Sequence, residues 1–226
     1  ENPARIDFDW RSGKAPIVTF ADTIFALSSG APPAAIAVLR ISGPRAGATL
    51  AALAGRLPVP RHATLARLRR ADGLLLDQAL LLWFPGPQTA TGEDLAELHL
   101  HGGRAVLAAV EAALLAIPGL RRAQPGEFTR RAFANGRIDL AEAEGLADLL
   151  ASETELQRQQ AMALAGGAFS KQIGGWRAHL LQLSAQLEAA LDFSDESDVS
   201  PLPESFAPRC EDLASEIETW LARPRS

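Results

Sequence analysis

The spacing of apolar residues changes character at about Gly136, and this limits the chain to a mixed domain followed by helices. Before that point, from Thr23 to about Asn135, short strand-like runs alternate with helical patterns. Residues 23–26 and 35–41 read as strands around a Ser-Ser-Gly-Ala-Pro-Pro turn. Ser42 is placed to cap a helix that runs to about Leu57, with Pro44 pre-set for its first turn. Residues 62–70 and 74–84 flank Asp72-Gly73, a dipeptide suited to a tight hairpin. A strand over 95–100, a helix over 104–117 after Gly102-Gly103, and a short strand over 121–123 complete the pattern. A hairpin among mixed elements argues for an α+β domain with a mixed sheet, not a doubly wound parallel one.

Beyond Gly136 the period becomes helical. Asp139 and Glu142 have the spacing of a capping box, and the helical pattern then continues to Phe193. A break is expected at Gly166-Gly167 and a bend at Gly174-Gly175. Leu140, Ala143, Leu146, Leu149 and Leu150 make one apolar face, and Trp176, Leu180, Leu183, Leu187 and Leu191 a second. Helices this few make a thin bundle, so a further helical element or a partner chain is expected. An Asp/Ser/Pro-rich stretch over 192–203 leads to a last helix over 211–222. The expected divisions are a flexible extension over 1–20, the mixed domain over 21–136, and an incomplete helical bundle over 137–226 that looks truncated.

Composition narrows the classes. With 47% hydrophobic residues and 22% charged, the 226 residues can bury a core. No apolar run reaches the roughly 18 residues of a membrane span, and residues 1–20 carry no recognisable targeting pattern. The net charge of −5 argues against sequence-independent nucleic-acid binding driven by overall charge. Cys210 is alone, which excludes a disulfide framework, a paired-thiol motif or a cysteine-rich zinc site and fits a reducing cytoplasm.

Several residues could carry chemistry. Arg40 interrupts an otherwise apolar strand, so its guanidinium needs either a carboxylate partner or an opening to solvent. Glu93, Asp94 and Glu97 lie just before and within the next strand, and a carboxylate beside an apolar wall can accept paired N–H donors from a heterocycle. His99 and His101 share a strand face, but no third or fourth metal ligand follows at usual spacing, so no metal site is expected. Gly102-Gly103 would free backbone amides at the start of the next helix for an anion. Asp192, Asp195, Glu196 and Asp198 lack the glycine and closing glutamate of a calcium loop. There is no Gly-x-Ser-x-Gly, and no Gly-x4-Gly-Lys-Ser/Thr; Gly13-Lys14-Ala15 has the wrong neighbours.

Eight motifs stand in order: Asp22-Thr23-Ile24-Phe25-Ala26, the run from Ala37 to Pro44, Phe84-Pro85-Gly86-Pro87, Thr91-Gly92-Glu93-Asp94, Glu97-Leu98 with His101-Gly102-Gly103, Pro125-Gly126-Glu127-Phe128-Thr129, Arg131-Ala132-Phe133, and the run from Asp139 to Glu144. Together they resemble the N-terminal part of the MnmE (TrmE) family of bacterial tRNA uridine-modification GTPases. The resemblance implies a domain that dimerises and binds a 5-formyl-tetrahydrofolate-type one-carbon carrier, followed by a helical domain. It implies that GTP, magnesium and potassium belong to a GTPase domain outside this chain. It also implies a cytoplasmic enzyme that works with the FAD-dependent partner MnmG on the wobble uridine (U34) of tRNA, with no membrane and no catalytic residue in this portion. By position the family's folate contacts fall on Arg40, Glu97 and Arg137; the family usually has Lys where Arg137 stands, and Pro where Ser194 stands. A self-association module of the same fold with no bound folate is the alternative reading. An autonomous aminomethyltransferase has no support in the residues.

Overall fold

A computed structural model describes residues 5–7, 17–192 and 202–222. The chain forms two compact units, Glu1–Leu140 and Ala141–Ser226. Ser194, Asp195, Glu196, Asp198 and the Gly13-Lys14-Ala15 run lie outside the described residues. Within the stretch read as an extension, β1 (Arg5–Asp7) pairs antiparallel with β2 (Ile17–Thr19).

The first unit is built on a six-stranded mixed sheet. Its strands are β3 (Thr23–Leu27), β4 (Ile36–Ser42), β5 (Thr64–Arg69), β6 (Leu75–Phe84), β7 (Leu95–His101) and β8 (Leu120–Arg122), in the order β5-β6-β7-β4-β3-β8. Every neighbouring pair is antiparallel except β3 with β8. Alternation sends Ala37, Leu39 and Ile41 of β4, Leu98 and Leu100 of β7, and Leu81 of β6 to one face. There they meet Leu50 of α1 (Ala46–Ala54) and Val110 and Leu114 of α2 (Arg104–Leu115), forming the core. On the other face Ile36 is 58%, Leu65 62% and Leu80 37% exposed, so the sheet is covered by α1 and α2 on one side and open on the other.

Three local expectations are corrected here. Ser42 does not cap α1: it closes β4, and its hydroxyl binds Thr91 and Glu93, while Thr23 Oγ1 accepts from the Arg45 amide at 2.9 Å just before the helix. Gly102 does not free its amide for an anion, because that N–H is given to the Ala35 carbonyl at 3.3 Å. A Cβ at Gly102 would stand 2.2 Å from the Ala34 carbonyl oxygen, so close backbone approach explains the glycine. Finally, a helix α3 (Glu127–Ala134), not anticipated from the sequence, follows β8.

The second unit holds α4 (Leu140–Ala151), α5 (Glu155–Ala165), α6 (Ala168–Asp192) and α7 (Phe206–Leu221). The expected break at Gly166-Gly167 is present, α6 runs without interruption through Gly174-Gly175, and an additional break falls at 152–154. That break is set by a reciprocal cap: Thr154 Oγ1 accepts from the Gln157 amide at 3.3 Å, and Gln157 Oε1 accepts from the Thr154 amide at 2.9 Å. Gly145 lets α4 reach the end of α5, since a Cβ there would lie 2.4 Å from the Ala165 nitrogen. Trp220 packs edge-on to Trp176 at 5.7 Å and against Phe169 at 5.5 Å, seating α7 on α6. Much of both apolar faces stays exposed, including Leu140, Leu150, Leu180 and Leu191. No described helix is long and apolar enough to cross a membrane.

Candidate ligand site on the open sheet face

Because Leu39 and Ile41 turn into the core, Arg40 must project from the open face. Register then decides its partner. Arg40 stands directly opposite Glu97 on β7, with Ala26 on its other side and Leu82 beyond Glu97, so one row crosses four strands. The neighbouring row is Val38, His99, Leu80 and Leu65. Arg40 donates from both Nε (3.0 Å) and Nη2 (2.7 Å) to the same oxygen, Oε1 of Glu97. The Glu97 side chain is 16% exposed and that of Arg40 34%, so the pair is half-buried beside Ala26 and Leu82 and still reaches solvent. Among the described residues the other oxygen, Oε2, meets only the His99 ring nitrogen, at a long 3.4 Å. One strong acceptor position is thus left for an incoming donor.

His101, although on the same strand face as His99, is committed elsewhere. Its Nδ1 lies 2.7 Å from Asp77 Oδ1, and its backbone amide donates to Asp77 Oδ2 at 2.9 Å. The two histidines therefore serve separate carboxylates. Among the described residues no group of three or more His, Cys, Asp or Glu is arranged to hold a metal ion.

Of the three residues singled out in the sequence, two are joined directly. Arg40 and Glu97 are in contact, whereas Arg137 follows α3 and donates from Nε to the Thr89 carbonyl at 3.0 Å. Among the described residues no hydrogen bond joins Arg137 to either of the other two. The turn it grips is also held by Asn135, which donates to the Thr91 carbonyl at 2.7 Å, and by the Ser42 hydroxyl, 2.7 Å from both Thr91 Oγ1 and Glu93 Oε2. Ser42 lies two residues beyond Arg40 on β4, so this turn and the Arg40–Glu97 row share a strand.

Sequence reading missed what anchors that turn. Arg131 of α3 is wholly buried and bridges three carboxylates: Asp22 at 2.9 Å, Glu93 at 3.1 Å and Glu127 at 3.2 Å. Arg121 binds Asp22 Oδ2 at 2.6 Å and also spans both oxygens of Glu127. The Phe20 ring lies 4.4 Å beneath the Arg131 guanidinium. Burial alone would push the Glu127 carboxyl up, but the Arg121 hydrogen bond, the Gln124 amide and Arg131 outweigh it and hold Glu127 at about 2. Asp22 follows the same logic: burial opposes ionisation, and Arg121 and Arg131 together bring it below its usual value. Glu93 is the exception, raised because burial prevails over Ser42 and Arg131. The i,i+4 spacing of Glu127 and Arg131 was the one visible hint. Asp22 lies 109 residues away, and nothing local announces it.

Residues 23–137 match the sequence profile described as GTP-binding protein TrmE N-terminus, just over half of the chain, and residues 140–226 match that of the MnmE helical domain. The chain belongs to the MnmE (TrmE) family. It is 68% identical over 215 residues to the tRNA modification GTPase MnmE of Novosphingobium aromaticivorans, covering 91% of this chain and 49% of that protein. It is 65% identical to the protein of the same name from Erythrobacter litoralis (90% of this chain, 48% of that one). With that from Rhodopseudomonas palustris it is 53% identical (89% and 45%). The chain thus spans about half the length of the curated MnmE relatives it matches. The order seen here, a mixed-sheet unit followed by helices, is the order of the two MnmE profiles.

Proposed function

We propose that this chain is the ligand-binding and self-associating portion of a tRNA wobble-uridine modification GTPase, and that its open sheet face takes a 5-formyl-tetrahydrofolate-type one-carbon carrier. The supporting observation is the in-register Arg40–Glu97 pair, in which both guanidinium donors fall on one carboxylate oxygen and leave the other open. A reduced pterin presents a ring N–H beside an exocyclic amine, a donor pair that suits Glu97; Arg40 can answer a formyl oxygen or a tail carboxylate. The donor set therefore fits such a ligand. Arg137 contributes through its terminal nitrogens alone, because its Nε is already given to Thr89. When bound, the carrier supplies a one-carbon unit; the chain's residues orient it and shield one of its faces.

Exposed Ile36, Leu65 and Leu80 on the same face give a second copy something to bury, which supports a homodimer in which the ligand is enclosed. These 226 residues contain no P-loop sequence, so GTP turnover, with its magnesium and potassium, is assigned to the remaining half of the family's length, and MnmG and tRNA are partners of the whole assembly in the cytoplasm. The test is ligand-dependent stabilisation. A native-state ligand raises stability with its concentration, so 5-formyl-tetrahydrofolate raises the melting temperature in a dose-dependent way. A melting temperature that stays constant up to millimolar ligand rejects this reading in favour of a self-association module with no folate.

A further inference from the structure

Between Asp22 and Asp72 the sequence contains no Asp or Glu, yet it carries seven arginines in a chain whose net charge is −5. Two of the seven are accounted for: Arg40 pairs with Glu97, and Arg45 donates to the Pro118 carbonyl. The other five, Arg56, Arg61, Arg67, Arg69 and Arg70, are all exposed. Four of them lie on or beside β5, the outermost strand of the sheet, and Arg56 lies just past α1, which packs against that strand. Arg70 is matched by Asp72. Among the described residues no carboxylate pairs with Arg56, Arg61, Arg67 or Arg69. Asp77, the other nearby acid, is spent on His101.

Some of these groups are held in place rather than left to sweep through solvent. The Arg61 guanidinium lies 5.7 Å over the Phe84 ring and donates to the Gln88 carbonyl at 2.6 Å, and Arg69 donates to the Gly73 carbonyl at 2.8 Å. Arg67 and Arg69 flank core-facing Leu68, so both stand on the open side of the sheet, on its outer strand. A row of uncompensated, partly fixed guanidinium forks presents paired donors to phosphate oxygens.

We propose that this arginine edge docks the phosphate backbone of RNA along the outer strand β5, two strands away from Glu97 on β7. The mildly acidic whole-chain charge does not oppose this, because backbone binding depends on local neutralisation of phosphates and release of their counterions. The test is fluorescence anisotropy of the full chain with a labelled, unmodified tRNA transcript over a series of salt concentrations. Replacing Arg56, Arg67 and Arg69 together by Gln should lower the slope of log K against log salt by about three, roughly one per arginine, and weaken binding at least about tenfold near 0.1 M salt. The Lys triple at the same positions keeps the charge and should retain the slope. Arg104→Gln with Arg122→Gln removes two charges elsewhere and should leave binding unchanged. Equal melting temperatures show that the variants remain folded. The proposal is overturned if the wild-type chain fails to bind RNA even at low salt, or if the Gln triple binds with the wild-type slope. Unchanged binding together with new aggregation also overturns it, and identifies the arginines as guards of an exposed strand edge.

Discussion

Replacing Arg131 by Met should be among the most damaging single changes in the sheet unit, and the structure says why. The side chain is wholly buried, so Met fills much of its volume while removing the charge. Asp22 and Glu127 keep Arg121 as a counter-ion, but among the described residues Glu93 keeps only the Ser42 hydroxyl. Breaking one side of a buried ion pair costs about 3–5 kcal/mol, a large share of the roughly 5–15 kcal/mol that holds a domain together. Glu93 is already raised by burial and rises further in the variant, so protonation relieves part of the cost: the deficit should shrink as pH falls from 7 to 5. Removing the orphan as well, in Arg131→Met with Glu93→Gln, should recover about 2 kcal/mol or more relative to additivity. Native-state hydrogen exchange at the Phe25 and Leu39 amides reads this unit directly. A loss below about 1 kcal/mol, or a loss equal at both pH values and strictly additive with Glu93→Gln, refutes the assignment of Arg131 as the centre of the network.

Three further outcomes follow from the same geometry. Glu127, held at about 2, and Asp22, also lowered, contribute stability above their unfolded values that is lost as pH falls from about 4.5 towards 2; Glu93 has the opposite sign and gains at low pH. Acid titration of the wild type against Glu127→Gln should show about 2–3 kcal/mol of that loss disappear in the variant, and an unchanged acid transition contradicts it. Gly145→Ala forces a Cβ to within 2.4 Å of the Ala165 nitrogen, a backbone atom that cannot turn aside, and should cost the helical unit about 1–3 kcal/mol in thermal denaturation. Thr154→Ala removes the cap of α5 and should cost about 1 kcal/mol, read as faster exchange of the first-turn amides of that helix.

What could be read from the sequence were the features with a local cause. The β5–β6 hairpin follows from Asp72-Gly73, β4 from its apolar run, and the break before α6 from Gly166-Gly167. Arg40 stood out as a charge needing a partner, and Glu97 as a carboxylate in apolar company, but sequence cannot supply the register that puts them opposite each other. The errors have the opposite character. Ser42 has the residue type of a helix cap, yet tertiary partners 49 and 51 residues away claim its hydroxyl. The Gly102 amide is claimed in the same way, by Ala35 across the sheet end. α3 is short and polar, and it is held by buried charge rather than by an apolar stripe, so periodicity did not find it. The break at 152–154 did have a local signal, the Thr154–Gln157 spacing, obscured by the long helical pattern around it.

Calorimetric titration of 5-formyl-tetrahydrofolate into the wild-type chain and into Glu97→Gln probes the carboxylate at the heart of the carrier reading. Glutamine keeps one acceptor but loses the charge that a donor pair would meet, so affinity should fall by about tenfold to a hundredfold, the worth of a charge-assisted hydrogen bond, while the melting temperature without ligand changes little. Equal dissociation constants for the two proteins would remove Glu97 from the site and, with it, the central claim.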